Sequence, residues 1–267
     1  MLEFSPFNDS NLKTLCGCEN TGSFFPLSTS SLNEYGSPDS LCLLAIRHLQ
    51  HYLENQNEWN HNFGLTNEGE DQVIGKMFGV LIVTNAKKEI GYLAAFSGKL
   101  AGRNILDGFV PPVFDGLTEN SFLNIGMAQL NSINFEISKL EDIDNNNLNE
   151  IGFLKSERKD LSIFLQQQLF ESYNFLNSSG KELNLVEIFQ KAGYKNPPSG
   201  AGECAAPKLL QYAFQNSLQP LLLTEFWWGL SPKSETWKHK QFYRPCKEKC
   251  EPILEHMLEG LNDFVIL

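Results

Sequence analysis

Two apolar runs joined by a short polar turn constrain the fold of this chain more than any other feature. Lys76-Met-Phe-Gly-Val-Leu-Ile-Val-Thr84 is rich in β-branched residues, Asn85-Ala-Lys-Lys88 is a turn, and Glu89-Ile-Gly-Tyr-Leu-Ala-Ala-Phe-Ser97 returns. Such residues fit a pleated, buried surface. Apolar side chains occupy consecutive positions in both runs, so the hairpin is predicted to be covered on both faces. That requires layers above and below it, and hence an α/β domain.

The rest of the chain supplies those layers. Ser37-Pro38-Asp39-Ser40 starts a helix, with proline in the first turn, that runs to about Glu54. Residues 98–118 are rich in glycine and proline and form a long loop, a length often tied to function. From Phe122 to Phe175 the spacing is helical. Leu123, Met127, Leu130, Asn134 and Ile137 make one stripe and Leu154, Leu161, Leu165, Leu169 and Tyr173 another, with Asn145-Asn146-Asn147 between them. An antiparallel helical hairpin is therefore inserted within residues 119–192, followed by a short helix from Leu183 to Gln190. Further helices are predicted over Cys204–Asn216 and Pro252–Leu258, with a strand over Leu221–Trp228 between them. The organisation expected is an irregular N-terminal arm over 1–36 and one α/β domain over 37–267. Its mixed sheet carries the hairpin, flanking helices and the helical insertion.

A hydrophobic share of 42% with 20 phenylalanines is that of a globular chain. The net charge of −11 makes its surface as a whole a poor match for a phosphate backbone. Basic residues do gather late, at Lys233, Lys238, His239, Lys240, Arg244, Lys247 and Lys249. A solvated loop is the common role of such a cluster. With no secretory start and no apolar run of membrane-spanning length, a soluble cytoplasmic protein with no membrane partner is expected. The six cysteines are then expected to be reduced thiols or metal ligands rather than bridges.

Three of those cysteines stand out. Cys204 opens a helix, where the positive end of the helix dipole favours a thiolate. Cys246 and Cys250 follow Phe242-Tyr-Arg-Pro245. Three thiols brought to one point can hold zinc and leave one position open. Simple core filling is the alternative, because free cysteine is among the most buried residue types. Other candidates for binding are Trp227 and Trp228, His239, Arg244 and Lys208. The two tryptophans must face opposite ways from their strand, so one enters the core and the other can stack a base. His48, His51 and His61 have no evident third ligand.

The order of hairpin, Cys204-Ala205-Ala206-Pro207 helix, strand and Pro245-Cys246 resembles the zinc-dependent cytidine-deaminase fold. That resemblance implies zinc on Cys204, Cys246 and Cys250. Two departures stand against activity: Ala206 replaces the proton-shuttling glutamate, and three residues rather than two separate the final cysteines. Glu203, next to Cys204, is the candidate acid/base of such a hydrolase.

Three longer stretches are similar to the N-terminal region of long bacterial RluA-like pseudouridine synthases. They are Gly75–Val83 with Ile90–Ala101, Gly200–Ala213 with Glu225–Gly229, and Phe242–Leu261. In that family a separate C-terminal domain isomerises uridine through a His-Arg-Leu-Asp motif, and this sequence has no such motif. The resemblance therefore implies a non-catalytic accessory domain of an RNA pseudouridine synthase, with RNA and the C-terminal synthase domain as partners. The alternative is a deaminase-like zinc hydrolase acting on a nucleobase or related small molecule.

Overall fold

The computed structural model describes residues 25–26, 38–66, 74–143, 147–261 and 264–267. Of the expected N-terminal arm only β1 (Phe25–Pro26) falls among them. Helix α1 (Pro38–Asn55) precedes the hairpin of β2 (Lys76–Thr84) and β3 (Ile90–Phe96). The hairpin pairs antiparallel from Phe78 opposite Phe96 to Thr84 opposite Ile90. Strand β6 (Gln219–Trp228) lies antiparallel on the other edge of β2. With β7 (Phe242–Tyr243) and β8 (Val265–Ile266) the order is β1-β3-β2-β6-β7, and β8 runs parallel to β6. The sheet is thus mixed, and antiparallel but for that pair.

Period-2 alternation divides the side chains between two cores. Phe78, Val80, Ile82, Tyr92, Phe96, Phe226 and Trp228 point to the face covered by α1. Leu81, Val83, Leu93, Ala95 and Leu223 point to the opposite face. That second face is covered by α5 (Ala205–Gln215), which packs on β2, β3 and β6. Helices α4 (Leu185–Lys191) and α6 (Glu251–Met257) lie beyond it.

The inserted hairpin is α2 (Phe122–Ile143) packed against α3 (Leu148–Glu171). Its inward stripe differs from the expected one. Met127 and Asn134 are exposed, and the inner side of α2 is Gly126, Leu130, Ile133, Ile137 and Leu140. Gly126 shifts the seam, since a Cβ there would collide with Leu165. After α3 the chain does not stay helical through Phe175. A small hairpin of β4 (Asn174–Leu176) and β5 (Glu182–Asn184) intervenes before α4. Asn184 caps α4 through a capping box with Glu187, which fixes the helix start. Among the described residues no helix is long and apolar enough to cross a membrane.

Gly79 sets the distance between sheet and helix. A Cβ built there would lie 2.9 Å from Leu209 Cδ1 and 3.0 Å from the Ala205 Cβ, so α5 sits closer than any side chain would permit. Gly79→Ala is expected to push α5 outward and cost about 1–3 kcal/mol of overpacking. Urea denaturation checks this; an unchanged midpoint would show that the approach is not tight.

Candidate metal centre

The start of α5, the middle of β6 and the turn before α6 converge at one cleft. Cys204 is the N-cap residue of α5, in extended backbone and with no side-chain cap bond of its own. The loop that delivers it needs glycine at 202, where φ is +89° and a Cβ would meet the Tyr173 ring at 2.9 Å. Cys246 and Cys250 belong to one helical turn: the Cys250 N–H donates to the Cys246 carbonyl at 3.1 Å. Residues four apart on such a turn share a face. The three intervening residues, a departure from the deaminase pattern, thus still bring the two sulfurs to 3.5 Å.

All three sulfurs lie within 4.8 Å of one another. All three are free thiols, as is buried Cys42. Tetrahedral zinc with bonds of about 2.3 Å would set sulfurs about 3.8 Å apart, which the observed spacings bracket. The cluster can therefore hold a metal such as zinc.

The electrostatics agree with that donor set. The Cys246 thiol is held well below the usual range, first by its hydrogen bond with Cys204 and then by that with Cys250. The backbone N–H groups of Lys249 and Cys250 add to this. The other two thiols are pushed up, Cys204 first by Cys246 and Cys250 first by Cys204. The cluster thus gives up one proton readily and resists losing the others until a cation compensates the charge.

A residue that sequence reasoning missed lies beside the sulfurs. Glu225 follows Leu223 and precedes Trp227 at alternate positions, so all three face α5. Its carboxylate accepts the Ala206 N–H at 3.1 Å, filling one of the open donors at the helix start. Glu225 is 3% exposed. Burial pushes its carboxyl up to about 8, the Ala206 hydrogen bond works against this, and Cys246 adds to it. The available signal was a carboxylate inside the apolar run Leu221–Trp228, a position that burial makes costly unless it is used.

Glu203 occupies different ground. It accepts the Tyr173 hydroxyl at 2.8 Å and faces Lys76 and Lys208, lining the outer part of the cleft. Both carboxylates line the cleft, and Glu225 is the one that interacts electrostatically with Cys204 and Cys250. Lys208 is placed differently from expectation. It is buried, and its ammonium donates to the carbonyls of Phe96 at 3.0 Å and Gly98 at 3.2 Å. It braces the end of β3. Burial lowers its pKa to about 8, with Glu203 and Cys204 opposing the fall.

The two tryptophans separate as their alternation requires. Trp227 lines the cleft, stacked on Trp237 with ring centres 6.0 Å apart and a 17° interplanar angle. Trp228 is 1% exposed in the α1 core, which removes it as a stacking platform. His239 packs on Trp228 at 4.5 Å, accepts the Gly229 N–H and lies outside the cleft, correcting its candidacy. Arg244 does line the cleft, as do Lys76 and Lys249. His48, His51 and His61 do not.

A raised carboxyl pKa has a consequence for stability. Glu225 is protonated in the fold up to about pH 8, while its ordinary value is 4.5. Its favourable contribution is complete below the ordinary value and is lost as pH rises toward 8. In chelator-treated protein, wild type should therefore lose more stability between pH 5 and pH 8 than Glu225→Gln does, by urea midpoints. Equal losses would place Glu225 in a less buried setting.

No protein-family model, curated protein or solved structure matches this chain.

Proposed function

We propose that this chain is an accessory domain of an RNA pseudouridine synthase that carries its own hydrolytic centre, a zinc-dependent site of deaminase type acting on a nucleobase or related cyclic amidine. The observation that carries the hydrolase reading is the buried Glu225 carboxyl beside the three sulfurs. Ala206 stands where the deaminase pattern has its proton-shuttling glutamate. Glu225 reaches the backbone of that same residue from the neighbouring strand, and so supplies a carboxyl where the helix lacks one.

Zinc held by Cys204, Cys246 and Cys250 would supply Lewis acidity at its remaining position. The chain's own contribution is proton management. In hydrolytic deamination a C–O bond forms from water, the exocyclic C–N bond breaks and ammonia leaves. Glu225 takes a proton from the water and returns one to the departing nitrogen, so it ends as it began. Burial raises its carboxyl above the ordinary carboxylate range, the direction that suits a carboxyl to hold and pass a proton. The Ala206 N–H holds one carboxyl oxygen, and the sulfur cluster faces the group.

The pseudouridine synthase context rests on the sequence resemblance of three stretches. The three stretches that resemble that family contribute β2, the start of α5, β6 and the Cys246–Cys250 turn. These segments are distant in sequence and meet around one cleft.

Protein purified without chelator is expected to carry about one zinc per chain and to release ammonia from cytosine- or adenine-bearing compounds. Glu225→Gln should keep the zinc and lose about 10²–10⁴-fold in turnover. Full activity in that variant, or protein without zinc, would contradict the hydrolase reading.

A further inference from the structure

The walls of the cleft describe a ligand more specific than a free base. Its volume is about 430 Å³, inside the roughly 300–1,000 Å³ typical of small-molecule sites. One wall is aromatic: Trp227 is stacked on Trp237, and Tyr243 meets the Trp237 ring edge-on at 4.6 Å. The mouth is cationic. Lys76, Arg244 and Lys249 line it, in a protein whose formal net charge is −11. None of the three belongs to an ion pair or side-chain hydrogen bond among the described residues.

The cations differ in what they can do. Lys76 and Lys208 both feel Glu203, which offsets part of their charge. Arg244 is exposed, and the Lys249 ammonium lies beside Gly200. Two cations without an ion pair among the described residues, lining the same cleft as the stacked Trp227 and Trp237, match a planar ring that carries an anionic group. An arginine fork in particular suits phosphate.

Resting on the hydrolase reading for the identity of the site, we propose that its ligand is a phosphorylated nucleotide. The base lies in the cleft by the aromatic wall, and the phosphate is held at the mouth by Arg244 and Lys249. The same chemistry is offered by a free mononucleotide and by a nucleotide within a single-stranded RNA.

The test is binding to the zinc-loaded chain, read by tryptophan fluorescence and calorimetry. The probes are cytidine and adenosine, their 5′-monophosphates, and a short single-stranded oligoribonucleotide. At least one monophosphate is expected to bind tenfold or more tightly than its nucleoside. Arg244→Ala and Lys249→Ala should each erase most of that gain while leaving nucleoside binding and zinc content unchanged. An oligonucleotide that binds more tightly than the monophosphate, with a steeper salt dependence, assigns the phosphate to an RNA strand; the reverse order assigns it to a free nucleotide. Equal affinity for nucleoside and monophosphate, no binding of either, or equal weakening of both by the variants overturns the proposal. Binding needs no turnover, so a chain that binds monophosphates without releasing ammonia refutes the hydrolase reading alone.

Discussion

The pairing of β2 with β6 decides which way each side chain at the cleft points. Gly79 stands opposite Glu225, and Met77 opposite Trp227. Because successive residues of a strand alternate, this register sends Leu223, Glu225 and Trp227 toward α5 and Phe226 and Trp228 toward α1. A slip of one residue would bury Trp227 in the α1 core and turn Glu225 away from the sulfurs. The absence of a side chain at Gly79 then lets α5 settle close enough for the Ala206 N–H to reach Glu225. Strand register and helix approach act together, and the cysteines depend on both.

Such a site is expensive for an apoprotein. Three thiols in contact, a carboxyl that is nearly inaccessible and an almost fully buried ammonium at Lys208 all oppose folding through desolvation. Two features offset part of this: Lys208 binds two carbonyls at the end of β3, and Glu225 satisfies an open helix N–H. The thiols have only each other and the backbone N–H groups at Cys246. A divalent cation removes that conflict, because thiolates that repel one another in its absence become ligands in its presence. Cys250 belongs to the second core and Cys204 and Cys246 pack against it, so the same three side chains both fill that core and form a donor set that could hold a metal.

The fold was largely legible in the sequence because its strongest signals are local. The hairpin at 76–97 is written in consecutive β-branched and aromatic residues, and α1, α5 and α6 in helical spacing with a proline in the first turn. The β4–β5 hairpin was not legible, since three-residue strands leave no periodicity and Tyr173 also fits a helical stripe. The α2 stripe was misread at Met127 and Asn134, because the contact hidden by Gly126 depends on Leu165 of another helix. At the site, the convergence of Cys204 with Cys246 and Cys250 could be anticipated from residue type and order. The place of Glu225 beside the cluster could not be read without the strand register, while Glu203, the sequential neighbour of Cys204, accepts from Tyr173 and interacts with two lysines. Lys208 and His239 likewise carry suitable chemistry on side chains that the fold turns to structural use.

The central claim is that three sulfurs of one chain form a zinc site with one position left for chemistry. X-ray absorption at the zinc edge of the loaded protein tests it most directly. The account predicts three sulfur neighbours at about 2.3 Å and one lighter atom at about 2.0 Å. A first shell of four sulfurs would mean a closed structural site, and a shell without sulfur would mean that the cysteines bind no metal at all.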